Sequence, residues 1–236
     1  MIKAVVTGHT RGLGAAVAAE LVARGIPVLG VARGHAGIGE GVEQAVVDLS
    51  DAAALAAWIG GHALRSFLAG CDMALLVNNA GVVAPVGPLG EQDPLAALRA
   101  ATLNVGAPLA LSAAFVQAAP QAERRVLHIS SGAGRSAYPG WSVYCATKAA
   151  LDQHARAIAL DADARVKACS LAPGVIDTDM QAEIRATPDE RFPLRQRFVD
   201  MKDSGVLVQP TVCAVSLVDY LLDAGFGGKP VDDLRG

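Results

Sequence analysis

Residues 2–25 read IKAVVTGHTRGLGAAVAAELVARG. An apolar run at 2–6 leads into a turn carrying Gly8, Gly12 and Gly14, and an alanine-rich helical pattern follows, closed by Gly25. An apolar run without polar alternation suits a strand buried on both faces of a parallel sheet. The glycines let backbone approach a pyrophosphate, and the following helix offers free N–H groups and a partial positive charge at its start. Strand, glycine turn and helix in this order form the context in which a glycine motif binds a dinucleotide; an ordinary glycine-rich turn is the reading that the context argues against.

The same alternation continues down the chain. Strands are expected at 27–32, 45–49, 73–81 (ending in Asn79-Ala80-Gly81), 125–130 and 165–171, with a short final one, read as an edge strand, in GGKPVDD at 227–233. Helices are expected at 51–68, 93–119, 142–161 and 210–223, with Pro108 kinking or dividing the second. Strands alternating with helices imply an α/β fold: a single-domain, Rossmann-type, doubly wound parallel sheet flanked by helices on both faces. Residues 175–209 are the least regular part and are expected to form a substrate lid. No linker or internal repeat interrupts the chain, so residues 1–236 read as one domain.

Composition narrows the class. Hydrophobic residues make up 52% and charged residues 18%, enough apolar content for a substantial core. The net charge of -3, with no long basic run, argues against nucleic acid as a partner. Cys71, Cys145, Cys169 and Cys213 are scattered, without CxxC or a histidine cluster. A reduced cytoplasmic protein without a metal site is the simplest expectation. No signal peptide is read at Met1–Lys3, and no uncharged stretch is expected to approach the roughly 18 residues that span a bilayer, so no membrane partner is expected.

In open parallel sheets, ligands sit beyond the carboxyl ends of the strands. The informative residues collect there. Arg33 follows the second strand, where NAD-specific folds usually place an acid that grips the ribose 2′-hydroxyl. With Arg11 in the glycine turn, two guanidinium groups at that corner suit a 2′-phosphate, hence NADP(H). Two solvated surface arginines are the competing reading. Asp48 is placed to meet an adenine amino group, or else to cap the next helix, for which Ser50 and Asp51 are better suited. Asn79, Ala80 and Gly81 are small enough for a flat ligand to lie close. Asn104, just before Pro108, is expected to hold a water or a backbone carbonyl at a disrupted helical ladder. Pro173-Gly174 turns the chain, and Thr178 is set to reach a phosphate or carboxamide.

Tyr144 and Lys148 stand four apart on a predicted helix, on one face of it. A tyrosine normally loses its proton near about pH 10, and a neighbouring ammonium lowers that value, so the two make a tunable proton-transfer pair. Ser131, thirteen residues before Tyr144 at the end of VLHIS, offers a hydroxyl for a substrate oxygen.

With these motifs assembled, the chain resembles the short-chain dehydrogenase/reductase family along essentially its whole length. TGHTRGLG, NNAG at 78–81, Asn104 in LNVG, Ser131, YCATK at 144–148 and PG at 173–174 fall in the family's order and at its usual separations. The resemblance implies that Tyr144 donates or removes the proton and that Lys148 lowers its pKa and holds the nicotinamide ribose. It also implies that Ser131 orients the carbonyl and Asn104 supports a water in the relay. It carries cofactor contacts to Thr10, Leu13, Leu49, Val175 and Ile176 beside those named above. APGVIDTDMQ, LRQRFVDMKDSGVLVQP and KPVDD resemble the sepiapterin and benzil reductase branch, whose members reduce dicarbonyl or α-hydroxy-ketone groups with NADPH. Asp232 matches an acid that anchors the pterin ring in that branch; a solvated tail carboxylate is the equal alternative. The family also implies a homodimer or homotetramer, with helices 93–119 and 142–161 paired across a two-fold axis.

The expectation is an NADPH-dependent carbonyl reductase of a small-molecule substrate. A 3-oxoacyl thioester reductase remains open within enzymes. An NADP-sensing regulatory protein remains open outside them, although such a protein has no need of a proton relay.

Overall fold

The computed structural model describes residues 1–37 and 41–236. Among them, strands β1 (Ile2–Thr7), β2 (Val28–Ala32), β3 (Val42–Val46), β4 (Met73–Asn78), β5 (Glu123–Ile129), β6 (Val166–Ala172) and β7 (Val231–Asp233) form one sheet in the order β3-β2-β1-β4-β5-β6-β7. Every pairing is parallel. The strand order reverses between β1 and β4, which opens a crevice at the carboxyl edge.

Helices cover both faces. Alternation along β1 sends Ala4 and Val6 to one side and Val5 to the other. On the first side, α1 (Gly12–Ala23) and α9 (Pro210–Leu222) bury Val17, Leu21, Leu217 and Leu221. On the second, α2 (Ala52–Ile59), α3 (Ala63–Leu68), α5 (Ala107–Ala118) and α6 (Ser142–Ile158) bury Leu55, Leu68, Leu111, Phe115 and Ala155. This is the expected doubly wound architecture. A third apolar cluster lies above the carboxyl edge, where α7 (Asp179–Ala186) and α8 (Arg195–Asp203) fall within residues 175–209. An isolated bridge between Ile176 and Val208 ties the base of that segment together.

Several boundaries differ from the sequence expectation. β3 is Val42–Val46, not 45–49, so Asp48 and Leu49 lie beyond it. Glu43 and Gln44 hide the strand in the sequence, but an edge strand needs only one covered face, and its pairing to Val28–Ala32 sets the register. The helix expected at 51–68 is two helices, parted at Gly60-Gly61, and Asp51 caps the first by accepting from the N–H groups of Ala53 and Ala54 at 2.9 and 3.2 Å. The helix expected at 93–119 runs as α4 (Pro94–Ala101), a wide turn at Thr102–Gly106 and α5. Proline lacks the N–H that would continue the ladder, and the slack is taken up just before Pro108. The expected final strand shrinks to Val231–Asp233, at the sheet's edge.

The expectation about uncharged stretches is also corrected. Pro94–Ala118 forms a 25-residue helical run long and apolar enough to cross a membrane by length and composition. Leu111 and Phe115 on it face the sheet, which is how a core helix of an α/β domain comes to be so apolar.

Candidate active site

A cleft of about 710 Å³ lies beyond the carboxyl ends of β1, β2, β4, β5 and β6. The glycine turn forms its floor. Gly8 adopts φ 68°, a conformation that favours glycine, and its N–H donates to the Val31 carbonyl at 2.9 Å. Gly14 does not line the cleft; a Cβ there would collide with the Gly8 carbonyl and the Asn79 side chain. Its smallness seats α1 against the turn, so the start of the helix points into the cleft. Thr7 fastens the strand switch: its Oγ1 accepts from the N–H groups of Asn79 and Ala80 at 2.9 and 3.0 Å. The Asn79 amide donates to the Thr7 carbonyl at 3.0 Å. Thr10, Arg11, Gly12, Leu13, Asn79, Ala80 and Gly81 all line the cleft. A narrow backbone cradle below a helix start fits a dinucleotide pyrophosphate.

At the far end of β2, Arg33 is exposed and lines the cleft. Arg11 lines it too, but its Nη1 lies 3.2 Å from Asp179 at the start of α7. Among the described residues, Arg33 forms no ion pair with a carboxylate, although the charge of Asp48 lies near enough to act on it. Asp48 and Leu49 also line the cleft. The Asp48 carboxylate turns to its own loop, accepting from the N–H and hydroxyl of Ser50 at 2.9 and 2.6 Å. Those bonds, chiefly the Ser50 hydroxyl, hold its carboxyl below the usual range. His9, fully buried beneath the turn, contacts Gln44 at 3.0 Å. Gln44 in turn accepts from the N–H of Ala36 at 2.7 Å and donates to its carbonyl at 3.1 Å, which steadies the loop after Arg33.

The residues expected to transfer a proton converge where β5 meets α6. Ser131 begins a short turn (Gly132–Gly134) and accepts from the Ala133 N–H at 3.2 Å. Tyr144 and Lys148 are 8% and 6% exposed. Burial pushes the Tyr144 phenol up to about 12, with the Ser131 hydroxyl within hydrogen-bonding reach and pulling it back. Burial brings the Lys148 ammonium down to about 8, opposed by the charge of Asp152. Asn104 is buried in the wide helical turn and does not line the cleft. It brackets Val82, accepting from its N–H at 2.9 Å and donating to its carbonyl at 2.8 Å. It also donates at 3.2 Å to Thr147, whose hydroxyl donates to the Tyr144 carbonyl at 2.8 Å. The expected backbone carbonyl at Asn104 is thus that of Val82.

Pro173, Gly174, Val175, Ile176 and Thr178 complete the wall after β6. Asp232 does not reach the cleft. It sits on β7 in a separate shallow depression, with its Oδ2 accepting from the Tyr220 hydroxyl at 3.0 Å and its Oδ1 3.6 Å from Lys229. The structure therefore does not bring this carboxylate to the substrate end.

The sequence reading missed the aromatic wall there. Trp141 stacks on Phe192 with ring centres 4.6 Å apart and 12° between planes, and it meets Tyr138, Tyr144 and Phe198 at 5.3–5.6 Å. Met180, Ile184, Phe198 and Met201 from the lid face the same space. Trp141 precedes Tyr144 by three residues at the mouth of α6, a spacing that offered the one local signal. Phe192 and Phe198 gave none, because lid packing alone brings them in. Among the described residues, no group of three or more His, Cys, Asp or Glu is placed to hold a metal ion.

The sequence model for short chain dehydrogenase matches residues 3–189. The chain is 31% identical to benzil reductase ((S)-benzoin forming) of Bacillus subtilis, over 98% of this chain and 97% of that one. A match to the corresponding protein of Bacillus cereus is 36% identical but spans 62% of this chain and 61% of that one. Sepiapterin reductase of Xenopus laevis is 33% identical over 97% of this chain and 94% of its own. A crystal structure of a short-chain dehydrogenase/reductase from Burkholderia vietnamiensis is 49% identical, covers 100% of this chain and 97% of that one, and superposes with a TM-score of 0.72.

Proposed function

The chain belongs to the short-chain dehydrogenase/reductase family, and from that premise we propose that it is an NADPH-dependent carbonyl reductase of compact, aromatic-flanked ketones and 1,2-dicarbonyls. The observation that carries this reading is the convergence of Ser131, Tyr144 and Lys148 on the aromatic end of the cleft. Its likeness to benzil and sepiapterin reductases supports the dicarbonyl class over a thioester.

NADPH, when bound, supplies the hydride. The backbone of Gly8–Leu13 and the start of α1 would hold its pyrophosphate, and Arg33 would meet the 2′-phosphate. Tyr144 gives its phenolic proton to the carbonyl oxygen. Ser131 donates to that oxygen and fixes its position. Lys148, while protonated, favours the phenolate that Tyr144 becomes, and Asn104 steadies the helix beneath them through Thr147. Trp141, Tyr138 and Phe198 exclude water and would seat a flat substrate group at this end of the cleft.

The reading extends to the setting of the enzyme. Leu95 and Leu98 on α4 and Leu109 on α5 are exposed apolar residues along the helices expected to pair, in support of a homodimer or homotetramer. Four unpaired cysteines are consistent with the cytoplasm, and the net charge of -3 speaks against a nucleic-acid partner.

The test is NADPH oxidation at ~340 nm with benzil, an aliphatic 1,2-diketone, a pterin carrying a diketone side chain and an acetoacetyl thioester. Turnover of any of the first three in preference to the thioester supports the reading. Thioester turnover alone replaces it with a 3-oxoacyl reductase. Tight NADPH binding without turnover of any of them favours a sensor.

A further inference from the structure

The helix that carries Tyr144 and Lys148 also holds a second buried charged group. Asp152 is one turn beyond Lys148 on α6 and 1% exposed. Its carboxylate is fully engaged. Oδ1 accepts from the hydroxyls of Ser130 and Ser170, both at 2.7 Å, and Oδ2 accepts from the Arg135 Nε at 3.2 Å. These partners come from three places: Ser130 adjoins Ser131 at the end of β5, Ser170 lies in β6, and Arg135 follows the serine turn. Arg135 goes on to donate to the Asp232 carbonyl of β7 at 2.8 Å. Gly134 packs flush on α6, and a Cβ there would press on the Lys148 carbonyl and on Asp152.

We infer that Asp152 is a positioning residue for this site: the buried anion that locks the Ser131 turn against the helix carrying Tyr144 and serves as counter-charge to Lys148. The inference deepens the carbonyl reductase reading and rests on it for the role of Lys148. Three donors on one buried carboxylate are what keep such a charge ionised in the interior. An opposite charge one helical turn from an ammonium favours its protonated form. The direction agrees with the structure, in which the Asp152 charge works against the burial of Lys148.

The other charged and titratable groups around Lys148 are accounted for. Tyr144 shares its helix. His128 faces it from β5 and is driven neutral by burial. Arg135 stands behind Asp152, Asp232 and Asp233 lie on β7, and the Asp93–Arg99 pair lies out on α4. Lys148 itself donates to the Ile129 carbonyl at 2.7 Å.

The test reads Lys148 directly and needs neither cofactor nor substrate. The full chain is labelled at the lysine ε-carbons, the Lys148 resonance is assigned by its loss in Lys148→Arg, and each variant is titrated by NMR. The wild-type midpoint is expected near 8. In Asp152→Asn, which keeps an acceptor for both serines but loses the charge, it falls by about one pH unit. In Arg135→Met, which unmasks the carboxylate, it rises. A merely structural role for Asp152 lets water in when Asp152 is replaced, which moves the Asp152→Asn midpoint up, and leaves the Arg135→Met midpoint unmoved, because Asp152 and its two serine bonds remain there. An unmoved or raised midpoint in Asp152→Asn overturns the inference. Should that variant fail to fold, an unmoved or lowered midpoint in Arg135→Met overturns it instead. A failure of the proposed reaction shows separately, as absent carbonyl turnover by the wild type whatever the titrations give.

Discussion

The Lys148 Nζ stands 5.6 Å from the centre of the Tyr144 ring, while donating at 2.7 Å to the Ile129 carbonyl. The ammonium is thus held by the end of β5 and overlooks the phenol without being consumed by it. The sequence alone suggests that lysine lowers the tyrosine pKa. In the structure burial dominates, and the phenol sits at about 12 with the ammonium at about 8. The consequence is a testable pH profile. Tyr144 keeps its proton throughout the working range, so the limb belongs to Lys148. As pH rises through about 8 the ammonium is lost, and with it the support for the phenolate. The kcat for carbonyl reduction should be flat below that point and fall above it. A profile flat to pH ~10, the ordinary range of tyrosine, would remove Lys148 from the proton step.

Removing the acid itself gives the second prediction. Tyr144→Phe keeps the ring and its edge contact with Trp141, whose centre is 5.3 Å away, and deletes only the hydroxyl. Positioned acids contribute about 10²- to 10⁴-fold, so kcat should fall by that order. The NADPH dissociation constant, followed by nicotinamide fluorescence, should change less than about threefold, because the phosphate cradle lies at the other end of the cleft. Retained turnover would mean that another group supplies the proton.

The 2′-phosphate corner is asymmetric. Arg33 is exposed and has no carboxylate in ion-pair contact among the described residues, whereas Arg11 is paired with Asp179 at 3.2 Å. A charge-assisted contact to phosphate is worth about 1.5–3 kcal/mol, so Arg33→Ala should raise the KM for NADPH roughly 10- to 100-fold and leave that for NADH nearly unchanged. Arg11→Ala should cost less, and Asp179→Ala should tighten NADPH by releasing Arg11. Equal losses for both cofactors in Arg33→Ala would place Arg33 outside the phosphate site.

How much of this was legible in the sequence follows from the range of the forces involved. The glycine turn, the strand ends and the Tyr144–Lys148 spacing depend on neighbours within a turn or two, and period and residue type record them. β3 was misplaced because an edge strand tolerates Glu43 and Gln44, which blurs its pattern. For Asp232 the sequence leaves a substrate role and a solvated tail carboxylate equally open, and the register of β7 against β6, with Leu171 opposite Asp232, leaves its carboxylate with Tyr220. The aromatic wall was invisible because Trp141, Phe192 and Phe198 are brought together only by the folding of the lid. Asp152 was overlooked for a like reason: its partners, Ser130, Arg135 and Ser170, lie up to 22 residues away in sequence.

That wall carries its own prediction. Trp141 and Phe192 are stacked and buried, so truncating Trp141 to alanine should cost about 3–5 kcal/mol of stability. Trp141→Phe retains a ring for the stack and should cost much less. For turnover of benzil, both substitutions should raise KM more than they lower kcat, because the wall seats the substrate and does not touch the proton. Steady-state kinetics at a temperature where each variant is folded, with melting followed by circular dichroism, separates the two effects. A kcat loss without a KM change would argue that Trp141 acts on the chemistry through Tyr144.

A last prediction concerns acid stability and a group that the reaction does not use. His128 on β5 is fully buried between Asn78 and His154, each at 3.1 Å. With the Asn78 amide donating to Nδ1, the ring proton sits on Nε2 and points to His154, so a second proton could enter only by displacing the Asn78 amide. Burial first, then the neighbouring His154 and Lys148 charges, pushes its pKa down to about 3. A histidine in the unfolded chain titrates near about 6.5. The folded value is the lower one, so this group contributes stability that is fully present above about pH 6.5. That contribution is lost as pH falls towards 3, at up to about 1.4 kcal/mol per pH unit. Denaturant midpoints of the wild type should therefore decline between pH ~6 and ~4, a decline to which His154, also pushed down by burial, adds a smaller share. His128→Asn, which keeps a polar partner for Asn78 but cannot take a proton, should flatten that decline even if it lowers stability at neutral pH. Parallel declines in the two proteins would assign the acid sensitivity to the carboxylates instead.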